Sequence, residues 1–166
     1  MLARLDQSDS LTGMRRELDV IIIGAGPTGV ELAGALAENV DTSVAAAFSE
    51  EISRGITIHL VEMAPAVLGP FSEPSQKYAQ QQLEKRGVDV RLGVGVSEVR
   101  PDGIALEDGT ELDGEIIVWT GGVVANRLIA ESGLPQGKGG RVDVATDLSV
   151  PEFDGVYVLG DCANLV

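Results

Sequence analysis

Residues 24–29, GAGPTG, are the part of this chain whose types and spacing speak most directly of chemistry. Gly24, Gly26 and Gly29 stand at G-x-G-x-x-G spacing immediately after the β-branched run at 20–23. Val30, Leu32, Ala33, Leu36 and Ala37 then recur at helical spacing. Strand, glycine turn and helix are the order a dinucleotide phosphate site requires. Gly24 permits the tight turn, Gly26 lets the backbone approach a pyrophosphate, and Gly29 lets the helix pack close to the strand. The helix N-terminus offers free N–H groups and the positive end of its dipole to the anion. Pro27 falls in the first helical turn, where its missing N–H costs nothing, and Thr28 stands between it and Gly29 in the same loop. The alternative is a tight strand-to-helix turn with no ligand, which the same spacing also serves.

A second strand, ITIHLV at 56–61, ends in Glu62. A carboxylate at that point hydrogen-bonds the adenosine ribose hydroxyls of NAD. It lies further from Gly29 than the usual ~20 residues, and a polar, small-residue insertion at 41–55 accounts for the excess. No Arg or Lys follows closely, so a 2′-phosphate would face Glu62 without a partner, which favours NADH over NADPH. Glu31, read as lying in the first turn of a helix over 27–40, is either a carboxylate stabilised by the helix dipole or a group facing a nicotinamide. His59, the one histidine, reads as a strand residue. Gly121 and Gly122 close a buried strand at 116–119, where they suit either the close approach of a ligand or a tight turn. Cys162 has no second thiol and no nearby basic residue to activate it, and reads as a small packed residue. No metal-ligand set is expected.

The elements that must position these residues follow from periodicity and turn chemistry. An amphipathic helix at 75–86, with Tyr78 and Leu83 inward, stops at Gly87. A third strand occupies 88–92. Residues 94–112 carry hairpin punctuation at Pro101-Asp102-Gly103 and Asp108-Gly109, which predicts a three-stranded meander. A short helix at 126–132, a glycine-rich loop, a strand within 141–147 and a final strand VYVLG complete the chain. The fold class is therefore α/β, a Rossmann-like βαβαβ parallel sheet with an antiparallel β-meander. Three segments are expected: a junction at 1–17, a nucleotide-binding domain at 18–140, and a further segment at 141–166.

Composition narrows the function classes. The net charge of −14 argues against nucleic acid, whose phosphates need Lys and Arg. Lysine occurs only at Lys77, Lys85 and Lys138. Such a surface suits a protein from a high-salt cytoplasm, and equally an ordinary acidic bacterial protein. With one cysteine no internal disulfide forms, which fits a cytoplasmic compartment. No apolar run approaches the ~18 residues of a membrane span.

Taken together, GAGPTGVELAG, LVEMAPAVL, IVWTGG and the closing TDLSVPEFDGVYVLGDCA resemble the two-dinucleotide-domain flavoproteins, most closely the type II NADH dehydrogenases. The resemblance spans roughly residues 18–164. It implies hydride transfer from NADH to FAD and then electrons to a quinone. Glu31 would lie near nicotinamide and flavin, Glu62 would hold the adenosine ribose, and Gly121 and Gly122 would line the nicotinamide pocket. Gly160 and Asp161 would belong to the motif that binds the FAD ribityl and pyrophosphate region. The FAD domain's own glycine motif, the quinone-contacting segment and the membrane-attaching helices have no counterpart here. The chain thus reads as a nucleotide-binding fragment that is inactive alone, whose parent sits peripherally on the cytoplasmic side of the membrane. Another FAD-dependent reductase, of ferredoxin or disulfide type, and a non-catalytic NAD(H)-sensing module are the competing readings. A methyltransferase would explain neither the meander nor the Gly-Asp end.

Overall fold

The computed structural model describes residues 18–166, so the junction expected at 1–17 lies outside the described residues. The chain divides into two compact units, Met1–Gly121 and Gly122–Val166.

In the first unit, β1 (Leu18–Ile23) leads through the glycine turn into α1 (Pro27–Asn39). A π-helical turn (Val40–Val44), α2 (Ala45–Ala47) and α3 (Glu50–Arg54) fill the insertion before β2 (Ile56–Glu62). Then come α4 (Glu73–Lys85), β3 (Val88–Leu92), the meander strands β4 (Val96–Arg100), β5 (Gly103–Leu106) and β6 (Glu111–Asp113), and β7 (Ile116–Trp119). The main sheet has the order β3-β2-β1-β7 and is parallel throughout, and the meander is antiparallel in the order β4-β5-β6. The α/β class with its parallel sheet and three-stranded meander is as the sequence led one to expect.

A parallel sheet is stable when both faces are covered, and the β-branched run explains how. Val20 and Ile22 pack with Ala33, Ala37, Ile58, Leu60 and Leu83 on the helical face. Ile21 and Ile23 pack with Val61, Ile104, Leu106 and Leu112 on the meander face. The buried positions of α1 are Gly29, Ala33 and Ala37, one every fourth residue, so the helix meets the sheet through its smallest side chains. In α4 the inward residue is Leu83, whereas Tyr78 is 66% exposed, against its expected inward place. Apart from Leu83, α4 buries no residue fully; Leu83 and the partly buried Ala79 pack against the core and leave Tyr78 in solvent. Gly87, at φ +78, supplies the left-handed residue after the helix.

In the second unit, α5 (Arg127–Glu131) is capped by the Asn126 side chain, which accepts from the Leu128 amide at 2.9 Å. A 3₁₀ turn (Lys138–Gly140) precedes β8 (Val142–Val144), and a second (Gly160–Cys162) precedes β9 (Ala163–Leu165), which pairs in parallel with β8. Ile129, Val142, Val144, Val150 and Val158 form its core. The expected strand VYVLG is replaced by a single bridge between Ser149 and Tyr157. Leu148 at φ +66 and Glu152 at φ +68 bend the opposing segment, so its bonds to Val156 and Val158 do not extend into a ladder. No helix among the described residues is long and apolar enough to cross a membrane.

Candidate nucleotide site

In the sheet order, chain growth reverses at β1: β2 and β3 lie on one side of it and β7 on the other. The crevice outside the carboxyl ends of the strands at such a point is where open α/β sheets bind ligands. Gly24, Gly26, Glu62 and Gly121 all stand at that edge, at or just beyond the ends of β1, β2 and β7.

Each glycine meets a different demand. Gly24 has φ +102, and a Cβ there would come within 2.8 Å of the Gly121 Cα, so the turn and the β7 exit touch backbone to backbone. A Cβ on Gly29 would collide with the Gly24 carbonyl oxygen and stand 2.8 Å from Thr120 Oγ1. A Cβ on Gly26 would meet nothing within 4 Å, which leaves its backbone approachable from outside. Gly26 is the N-cap of α1 and Pro27 its first residue. The first helical bond runs from the Val30 amide to Gly26 O at 3.0 Å, so the Thr28 and Gly29 amides precede the ladder, as the first turn of any helix leaves them.

Glu62 reaches back to this loop. Its Oε2 accepts from the Ala25 amide at 2.7 Å and its Oε1 from the Ala64 amide at 2.9 Å. Each oxygen keeps a lone pair for a further donor. On the far side, Thr120 Oγ1 lies 2.9 Å from Ile23 O and 2.8 Å from Gly24 O. Nothing in the sequence analysis gives Thr120 a role. The signal was present all the same, a hydroxyl residue between a buried strand and a glycine pair. Glu31 is exposed and stands beyond the first turn of α1, which holds no acidic residue, because the helix starts at Pro27 and Glu31 is its fifth member. A cavity of 470 Å³ opens at the end of β3 between residues 91–94 and 106–108. It contains no residue of the glycine loop, but it adjoins Glu62 in the sheet, since Leu92 is the register partner of Glu62.

Gly122, at φ +97, and the Gly160-Asp161 pair belong to the second unit. Gly160 has φ +69 and Asp161 lies exposed in the 3₁₀ turn. Arg141 fixes this turn: its Nε donates to Asp161 O at 3.0 Å and its Nη2 to Val123 O at 2.9 Å. His59 is buried on the meander face, its Nδ1 2.8 Å from Asp89 Oδ2, which also accepts from Arg91 Nε at 2.8 Å. This is a cross-strand cluster of β2 and β3, as a strand residue would make. Burial pushes the Asp89 carboxyl up, but the hydrogen bonds from Arg91 and then His59 outweigh it and hold the group below the ordinary carboxylate range.

The family model described as pyridine nucleotide-disulphide oxidoreductase matches residues 2–166. The chain belongs to that family. Among its homologues is a type II NADH:quinone oxidoreductase of Mycobacterium tuberculosis, 36% identical over 98% of this chain and 38% of its own length. An internal alternative NAD(P)H-ubiquinone oxidoreductase of Arabidopsis thaliana mitochondria is 34% identical over 90% of this chain and 29% of its own length. In fold, the chain resembles NDH2 from Plasmodium falciparum in complex with NADH, with a TM-score of 0.86 and 20% identity over 99% of this chain and 36% of that one. The chain therefore spans between 29% and 38% of the length of these relatives.

Proposed function

We propose that this chain is the NADH-binding part of a type II NADH:quinone oxidoreductase, with residues 18–140 as the nucleotide domain and 141–166 as a piece of the flavin domain. What carries the reading is the convergence of Gly24, Gly26, Gly29, Glu62 and Gly121 on the crevice at the end of β1. Family membership and the NADH:quinone chemistry of the homologues support it.

The residues divide the work along the sheet edge. The pyrophosphate lies against Gly26, Pro27, Thr28 and Gly29, where the uncommitted amides of α1 meet it. The adenosine ribose donates to Glu62, and the adenine continues towards β3 and its adjoining cavity. The nicotinamide runs the other way, towards β7, to Gly121 and Gly122, with Glu31 beside it. Gly160 and Asp161 present their turn to the ribityl and pyrophosphate part of FAD, and the Arg141 bonds hold that turn in shape. FAD, when bound, would supply the hydride acceptor and the link to a quinone. The whole oxidoreductase works as a peripheral enzyme at the cytoplasmic face of the membrane.

The test is a fluorescence titration of this chain with NADH and NADPH, alongside Glu62→Gln. NADH should bind at least tenfold tighter than NADPH, and the variant should lose most of that preference, since a hydrogen bond to a charged group is worth about 1.5–3 kcal/mol. Equal binding of the two nucleotides to the unaltered chain would remove Glu62 from the ribose site.

A further inference from the structure

The carbonyl of Gly24 and the amide of Ala25 are the two polar ends of one peptide unit, and each is held by a different strand. Thr120, just past β7, reaches Gly24 O with its hydroxyl at 2.8 Å. Glu62, at the end of β2, takes the Ala25 N–H at 2.7 Å. Ile23 O, the other oxygen near Thr120 Oγ1, already accepts the Thr120 backbone amide at 2.8 Å. The hydroxyl has one proton to give, and Gly24 O is the oxygen of the two with no backbone donor among the described residues. Gly29 closes the third side, because a Cβ there would overlap the same oxygen.

A trans peptide is planar, with its C=O and N–H pointing opposite ways. Fixing the carbonyl therefore fixes the direction of the amide. We propose that Thr120 is a positioning residue for nucleotide binding: by holding the Gly24 carbonyl it aims the Ala25 amide at Glu62, and so sets both the glycine loop and the ribose carboxylate. This rests on the reading of that loop as the NADH phosphate site and adds to it a residue on the far side of β1. Thr120 acts on the ADP-ribose half of the nucleotide although it stands next to the glycines assigned to the nicotinamide half.

The test compares Thr120→Val, which swaps hydroxyl for methyl, with the pair Thr120→Ser and Thr120→Ala, which differ from each other only by the hydroxyl. NADH and ADP-ribose are titrated against each, and the Ala25 amide is followed by NMR. The valine variant should bind both ligands about five- to tenfold more weakly, the loss of one hydrogen bond. Serine should stay within about twofold of threonine, with alanine as weak as valine. The Ala25 amide proton should shift and exchange faster in the valine and alanine variants only. Should valine fail to fold, the serine–alanine pair makes the same comparison. ADP-ribose binding indifferent to the hydroxyl, or an unmoved Ala25 resonance, would overturn the role of Thr120 while leaving the NADH site intact. A folded, unaltered chain that binds neither ligand would instead overturn the site reading, and this inference with it.

Discussion

Asp89 serves two donors with one oxygen, accepting from His59 Nδ1 and Arg91 Nε at 2.8 Å each. Because these bonds hold its folded-state carboxyl below the ordinary value of about 3.9, the sign of the linkage is fixed. The stabilisation is fully present above about pH 4 and is lost as pH falls through the depressed folded value. The difference in unfolding free energy between the unaltered chain and Asp89→Asn should therefore shrink in the window below about pH 4 in urea titrations. A difference that stays flat across that window would mean the contacts do not bias the carboxyl. Such pairings were invisible in the sequence. His59 read correctly as a strand residue, but its partner is fixed by the β2–β3 register, which periodicity does not give.

Among the elements, the glycine turn was the most legible and its neighbours less so. The spacing of Gly24, Gly26 and Gly29 is enough to name the tight turn, the open backbone and the close helix, because each demand is local to strand and helix. Thr120 escaped notice because its bond to Gly24 joins residues 96 apart. Tyr78 was misplaced because helical spacing shows which residues share a face, not how closely α4 approaches the sheet. The strand VYVLG gave way to one bridge because positive φ at Leu148 and Glu152, neither a glycine, bent its partner. The two glycines of α1 offer a paired test. Gly29→Ala should destabilise the chain by about 1–3 kcal/mol, since its Cβ meets backbone that cannot yield. Gly34→Ala, whose Cβ would stand 3.8 Å from Leu83 Cδ2, an ordinary contact, should stabilise it by about 0.5–1 kcal/mol through helix propensity. Urea denaturation of both separates the effects by sign, and a harmless Gly29→Ala would contradict the packing described.

For the molecule as a whole, the net charge of −14 dominates the electrostatics. Arg54, Lys77, Arg91, Arg100 and Arg127 already sit in ion pairs with neighbouring carboxylates. The 26 acids outnumber the 12 Lys and Arg residues, and their repulsion reaches across about 10 Å at 0.1 M salt and about 3 Å at 1 M. The melting temperature should rise by several degrees between low and molar KCl, and one indifferent to salt would remove both the repulsion and the high-salt reading.

The long reach from Thr120 back to Gly24 also bears on how the molecule comes into being. During synthesis the glycines leave the ribosome well before Thr120, and β1, α1 and β2 can associate as they emerge. The carbonyl that Thr120 holds has no such partner until some hundred further residues have been made, and the cost of closing that loop is met only when β7 docks beside β1. If Thr120 sets the glycine loop as proposed, nucleotide affinity is a late property of the growing chain, acquired with the completed sheet rather than with the motif that advertises it.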